Sequence, residues 1–304
     1  MSRQLARISA IAVLSIIASS SLSPLAQCQD ISFDLGQPCE CGPRKTLLQW
    51  SYGAGGAESH PAHGEPLLTD RPDFTEASST VGRGIAQLEF GYTYVFDNDG
   101  TNSVTSHSFP ETLLRYGIFA DWLEARVGWN YAEEKTRTGG ASMTVTGAED
   151  LYLGFKIGLT PQEGILPEMA LIPQMTVPTG SAPFNNNQLL PGVNWIYGWE
   201  INDFISTAGS SQFNRAVDEV TGDNYVEFAQ SWTIGYSLSE RLGAYTEWFA
   251  FFPSGADTAK PQHFFNGGFA FLAGDNIQLD VRAGVGLNDA ADDYFLGSGA
   301  SVRF

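Results

Sequence analysis

From Asp293 to its end the chain alternates without a break. Tyr294, Leu296, Ser298, Ala300, Val302 and Phe304 fall on one side, and Phe295, Gly297, Gly299, Ser301 and Arg303 on the other. A strand sends successive side chains to opposite faces, so this period of two makes one mostly apolar face and one small or polar face. The chain stops on an aromatic residue in strand register, although termini ordinarily fray. Such a strand needs partners and a cover for its apolar face, and the rest of the sequence has to supply both.

At the other end, Arg3 and Arg7 precede the apolar run Ile8 to Ala18, and small residues follow from Ser19 to Ala26. A charged start, a short apolar stretch and a small-residue end form a secretory signal peptide, expected over residues 1–28. No later segment offers the roughly 20 apolar residues that a spanning helix needs. An exported chain that spans a membrane must then do so with strands. In lipid, where every backbone polar group needs an internal partner, strands are stable only as a closed barrel.

The strands are present. Ala86, Leu88, Phe90, Tyr92, Tyr94 and Phe96 oppose Gln87, Glu89, Gly91 and Thr93. Leu114, Tyr116 and Ile118 oppose Arg115 and Gly117, and Leu123, Ala125, Val127, Trp129 and Tyr131 oppose Glu124, Arg126 and Gly128. Leu151 to Leu159 and Ile277 to Leu287 repeat the pattern. Less regular strands are expected at 169–177, 193–199, 204–208, 226–236, 242–251 and 263–272; the facing of 242–251 stays open because both sides are aromatic. With the terminal strand the tally is about twelve, an even number as in single-chain bacterial barrels. The expected fold is all-β, a transmembrane up-and-down antiparallel β-barrel over residues 81–304.

The connections support a barrel over a β-sandwich. Tight links at Ala120-Asp121, Thr160 to Gly164, Asn202-Asp203, Ser239-Glu240 and Gly274 to Asn276 alternate with longer polar ones. The longer ones are Asn98 to Pro110, Ala132 to Gly147, Thr179 to Leu190, Gly209 to Asn224 and Pro253 to Gln262. Short turns on one rim and long loops on the other are a barrel trait, with the short rim periplasmic, which puts both termini in the periplasm. Trp122, Trp129, Tyr131, Tyr92, Tyr94, Trp195, Tyr197, Trp199, Tyr236 and Trp248 are expected as interfacial girdle residues. Residues 29–80, rich in Gly and Pro with no sustained period, are expected as an irregular periplasmic arm.

Composition agrees. The mean hydropathy of −0.11 looks soluble, yet half of each barrel strand faces a polar lumen. Lys and Arg number 16 against 34 acids, for a net charge of −18, which disfavours nucleic acid as a partner. Lipid is the expected surroundings.

If the aromatic faces meet lipid, ionisable groups on the other faces point inward. Glu89, Arg115, Glu124, Arg126, Asp280, Arg282 and Arg303 are the lumen candidates, because charges at membrane depth pair, meet water or mark a pathway. They could form a selecting constriction or a salt-bridged filling, and both stay open. Catalysis is weakly supported: His107 lies beside Ser106 and Ser108 in an expected outer loop, and no G-x-S-x-G elbow occurs. Cys39 and Cys41 with His60 and His63 match no strong zinc spacing, so no metal or other cofactor is expected, and a local disulfide or free thiols are the plainer reading. Cys28 follows Leu25-Ala26-Gln27, which resembles a lipidation box except at Gln27.

Leu68-Thr69-Asp70-Arg71-Pro72-Asp73-Phe74-Thr75-Glu76, running through Val81-Gly82-Arg83-Gly84, resembles the outer-membrane transporter family named for the MetA-pathway of phenol degradation. The likeness continues at Glu111 to Gly117, Val177 to Gly180 and Gln278 to Gly284. It implies a barrel that passes small molecules, aromatic or hydrophobic ones among them. An aromatic final strand is likewise similar to the insertion signal of bacterial outer-membrane proteins, which makes Phe304 the expected mark for the barrel-assembly machinery. The expected function is therefore a passive outer-membrane transporter. A closed structural or surface-interaction barrel is the alternative, and an outer-membrane hydrolase the weakest reading.

Overall fold

A computed structural model of the chain describes residues 46–51 and 67–304. The expected signal peptide, with Cys28, Cys39, Cys41, His60 and His63, lies outside the described residues. In chain order the strands are β1 (Ala86–Asn98), β2 (Asn102–Gly117), β3 (Leu123–Thr138), β4 (Ala141–Ala148), β5 (Leu151–Thr160), β6 (Glu168–Val177) and β7 (Leu190–Glu200). They continue as β8 (Ile205–Val217), β9 (Asn224–Ser239), β10 (Leu242–Ser254), β11 (Gln262–Gly274), β12 (Ile277–Gly286) and β13 (Tyr294–Arg303).

Every pairing is antiparallel, and β13 returns to β1 in a register running from Gln87↔Arg303 to Phe96↔Tyr294. The ring has no free edge. Twelve strands form it, since β4 is attached to the far half of β3 alone while the near half of β3 pairs with β5. The fold is a transmembrane up-and-down β-barrel.

Burial runs opposite to that of a soluble protein. Arg115, Arg126 and Lys156 are the bulkiest fully buried side chains, whereas Phe155, Phe265, Phe269, Leu279, Val281 and Leu296 are each about half exposed. Water would not stabilise so wide an apolar exterior, and hydrocarbon does.

Several strands run beyond the expected bounds. β1 and β2 are joined by a tight turn at 99–101 where a loop over Asn98 to Pro110 was expected, so His107 sits on a strand. Its ring lies outside, within hydrogen-bond distance of Tyr92 Oη at 2.7 Å and packed by Tyr94. The expected loop from Ala132 to Gly147 is the hairpin of β3 and β4, and the loop from Gly209 to Asn224 shortens because β8 continues to Val217. These stretches are polar because they stand clear of lipid, and the ladder still satisfies their backbones.

The facing of β2 changes along its length for a local reason. One extra residue between Phe109 and Thr112 shifts its register with both neighbours. Such a bulge inverts the facing, so Arg115 and Leu113 point inward on one side of it and Ser108 on the other. Glu111, at φ 34°, is turned into the lumen there.

On β10 the open question of facing is decided. Tyr245, Glu247, Phe249 and Phe251 are buried inside, and Phe249, Phe251, Phe264 and Phe295 pack with Val95 against the partly buried Phe74. Ahead of the barrel, α1 (Leu47–Ser51) lies near β5 and starts on a capping box, in which the Thr46 amide donates to Gln49 Oε1 and the Gln49 amide to Thr46 Oγ1.

Candidate functional site: a chain segment anchored in the lumen

Residues 67–84 have no regular structure, but they do not hang outside the barrel as an arm. They enter at the short-turn rim, cross the lumen and return to β1. The backbone polar groups of such a segment need partners, and the inner wall supplies them. Gln87 Nε2 donates to the Leu68 carbonyl at 2.9 Å. Glu89 accepts the Asp70 amide, Glu247 accepts the amides of Phe74 and Thr75 at 2.8 and 2.7 Å, and Glu124 accepts that of Val81 at 3.0 Å.

Asp70 is the centre of the charge network. Its carboxylate receives Arg126 Nη1 at 2.6 Å and Lys156 Nζ at 2.7 Å, with Arg115 Nε at 3.4 Å. Burial alone would raise the Asp70 carboxyl, but Arg115, Lys156 and Arg126 together hold it well below the usual carboxylate range. Arg115 also grips Glu124 through Nε and Nη2, at 2.7 and 2.9 Å, and Glu89 at 3.1 Å. Arg126 reaches Glu76 at 2.6 Å. The wall offers three cations here to its own Glu89 and Glu124, and the segment adds Asp70 and Glu76, so that four carboxylates share three cations. Buried charges are tolerated when paired and hydrogen-bonded in this way, and here Arg126 Nε alone of the cluster's donors is left without an acceptor.

A second anchor lies beside the first, on the strands at the closing seam. Arg71 donates to Glu111 at 2.8 Å, to Asp280 at 3.3 Å and to the Ser298 carbonyl at 3.1 Å. Arg282 donates to the Pro72 carbonyl at 3.1 Å and to Thr93. A Cβ at Gly91 or at Gly299 would collide with the Arg71 guanidinium. At Gly117 it would collide with the Gly82 carbonyl.

The lumen candidates thus divide into three groups. Glu89, Arg115, Glu124 and Arg126 meet in one cluster, while Asp280 and Arg282 on β12 hold Arg71 and Pro72 of the segment. Arg303 stands apart at the turn rim, where it donates to Asn276 Oδ1 at 2.9 Å and the Asp275 carbonyl. Sequence reasoning missed Asp70, Arg71, Glu76, Glu111 and Glu247 as site residues. The motif from Leu68 to Glu76 was the available signal, but an aperiodic stretch does not reveal which surface it contacts.

Beyond the segment lies a cavity of about 740 Å³, lined by its Asp73, Phe74 and Glu76, by the upper strands and by loop residues including Asn186 and Asp218. One wall is aromatic: Phe249 stacks on Phe74 at 4.7 Å and on Phe264 at 4.8 Å. At its edge, in the link between β4 and β5, burial pushes the Glu149 carboxyl up to about 8, against one hydrogen bond from Asn130 and with Glu111 and Asp150 nearby. Two loops are clasped over it by Asp218, which accepts the Thr258 amide and hydroxyl, both at 2.7 Å. Among the described residues no group of His, Cys, Asp and Glu is placed to hold a metal ion.

A family model described as "Putative MetA-pathway of phenol degradation" matches residues 69–304. The chain belongs to this family. The match begins at Thr69 and so takes in nearly all of the lumen segment. Among solved structures, the COG4313 outer membrane channel from Pseudomonas putida F1 is similar with a TM-score of 0.61 and 12% identity, over 75% of this chain and 98% of that one. The transport unit of the autotransporter AIDA-I from Escherichia coli is similar with a TM-score of 0.50 and 12% identity, over 72% and 89%. Likeness at such identity speaks for the barrel fold alone. No curated protein sequence matches the chain.

Proposed function

We propose that this family member is an outer-membrane channel for passive diffusion of small molecules, with its short-turn rim and both termini on the periplasmic side after export by the signal peptide. The observation that carries the reading is the chamber of about 740 Å³ in the outer half of the barrel, resting on a lumen-crossing segment. Its size suits a small organic solute. The similar P. putida protein is described as a channel, which favours the same role here. The family's naming favours aromatic or hydrophobic permeants, and the phenylalanine wall is compatible with them. The segment at 67–84 narrows the path, so flux is expected to be slow and selective.

The rival reading is a closed structural barrel that presents its outer loops to partners. The density of hydrogen bonds and ion pairs fixing the segment favours it. Planar-bilayer conductance together with liposome swelling separates the two. Channel openings and solute-dependent swelling support diffusion, and well-inserted barrels that pass neither ions nor solutes support closure.

A further inference from the structure

On the chamber wall formed by β5 to β8, neutral side chains make a directed row of hydrogen bonds. Tyr152 Oη donates to Gln174 Oε1 at 3.1 Å, Gln174 Nε2 to Asn214 Oδ1 at 2.8 Å, and Asn214 Nδ2 to Gln212 Oε1 at 3.5 Å. Gly192 on β7 makes room for the row. It is paired with Gln174 on one side and Asn214 on the other, and Asn214 Oδ1 occupies the place that a Cβ there would take. Carboxamides from β6 and β8 thus meet over the strand between them.

The row breaks at one place. Asn194 Nδ2 donates to Glu76 Oε2 at 3.2 Å, and because a carboxylate only accepts, this bond fixes which end of the Asn194 amide is the oxygen. Asn194 is 1% exposed, and its Oδ1 accepts nothing. A buried acceptor without a donor is costly. Gln212, whose Nε2 has no acceptor among the described residues, is the direct cross-strand partner of Asn194, and both line the chamber. The row therefore runs from Tyr152 towards Glu76 with one link missing, where an open donor lies beside an open acceptor.

We infer that this gap is a binding site for the hydroxyl group of a neutral solute, which accepts from Gln212 Nε2 and donates to Asn194 Oδ1. An ammonium group cannot accept, and a carboxylate or an ether cannot donate, so none of these closes the gap at both ends. Bonds in such a row polarise one another, and the Glu76 carboxylate at its end strengthens Asn194 as an acceptor. The inference gives the permeant a chemical class, small neutral alcohols. It rests on the channel reading for its physiological meaning, though binding itself does not require transport.

Isothermal titration of the full mature chain folded in detergent tests it, with cyclohexanol, cyclohexyl methyl ether and methylcyclohexane as probes and empty micelles as the blank. Cyclohexanol is expected to bind saturably, and the ether about fivefold more weakly, as for loss of one hydrogen bond. Gln212→Met, which keeps the length of the side chain and removes its donor, should weaken cyclohexanol by about fivefold and leave methylcyclohexane no weaker. No saturable cyclohexanol binding, as when water alone fills the gap, or an ether that binds as tightly as the alcohol, would overturn the inference on the unsubstituted protein alone. A Gln212→Met barrel that keeps its fast-migrating folded band and binds cyclohexanol as tightly as wild type would also overturn it. Cyclohexanol binding without any conductance would sink the channel reading and spare this one. Conductance without cyclohexanol binding would do the reverse.

Discussion

Gly91 and Gly299 face each other across the seam where β13 closes on β1, and the guanidinium of Arg71 occupies the space that their side chains would fill. The seam is thus shaped for a residue of the lumen segment, and closing the ring and seating the segment are coupled events.

Gly299→Val should fold into a barrel but displace Arg71 from Asp280 and Glu111. An overpacking cost of roughly 1–3 kcal/mol is expected. Loosening of the segment should appear as a larger single-channel conductance than wild type. Gly274→Ala, where an added Cβ meets nothing within 4 Å, is the control and should leave conductance unchanged. Equal conductance of all three would show that the segment does not limit flow.

Asp70→Asn removes the anion shared by Arg115, Arg126 and Lys156. Breaking a buried ion pair by removing one partner costs about 3–5 kcal/mol. The temperature at which the folded, fast-migrating band converts to the unfolded one on a gel should therefore fall. The same anion loss should make the lumen more anion-selective. Asp203→Asn, in an exposed turn, should change neither property.

Glu149 gives the chamber a pH response. Its folded carboxyl is pushed up to about 8, above the ordinary value, so the folded protein holds this proton where the unfolded chain releases it. The associated stability is complete below the ordinary glutamate range and is lost as pH rises towards 8. Over the same interval the chamber gains negative charge, and reversal potentials in a salt gradient should show cation selectivity increasing with pH. Glu149→Gln should flatten that part of the profile.

Phe304 is 68% exposed on the outer face, and its amide donates to the Ala86 carbonyl at 2.8 Å. If the barrel-assembly machinery reads this final strand, Phe304→Asp should lower the yield of inserted barrel, while Arg303→Lys, which keeps the inward charge, should matter less. Western blots of outer-membrane fractions check it, and equal yields would show that the terminal ring is not part of the signal.

Local sequence determined the strands and their facing. In β1, β3, β5, β12 and β13 the period of two placed Phe155, Leu279 and Leu296 outside and Glu89, Arg126 and Asp280 inside, because alternation is a property of each strand by itself. It failed where local parity breaks, at the bulge of β2 between Phe109 and Thr112, and where both faces are aromatic, as on β10. Only the tertiary structure decided the role of residues 67–84. Asp70 meets partners on β2, β3 and β5, Arg71 meets β2 and β12, and Glu247 on β10 accepts the amides of Phe74 and Thr75. Those wall residues become neighbours only when the ring closes, so an aperiodic segment whose energy lies in such distant charge pairs carries no local pattern that would disclose where it goes.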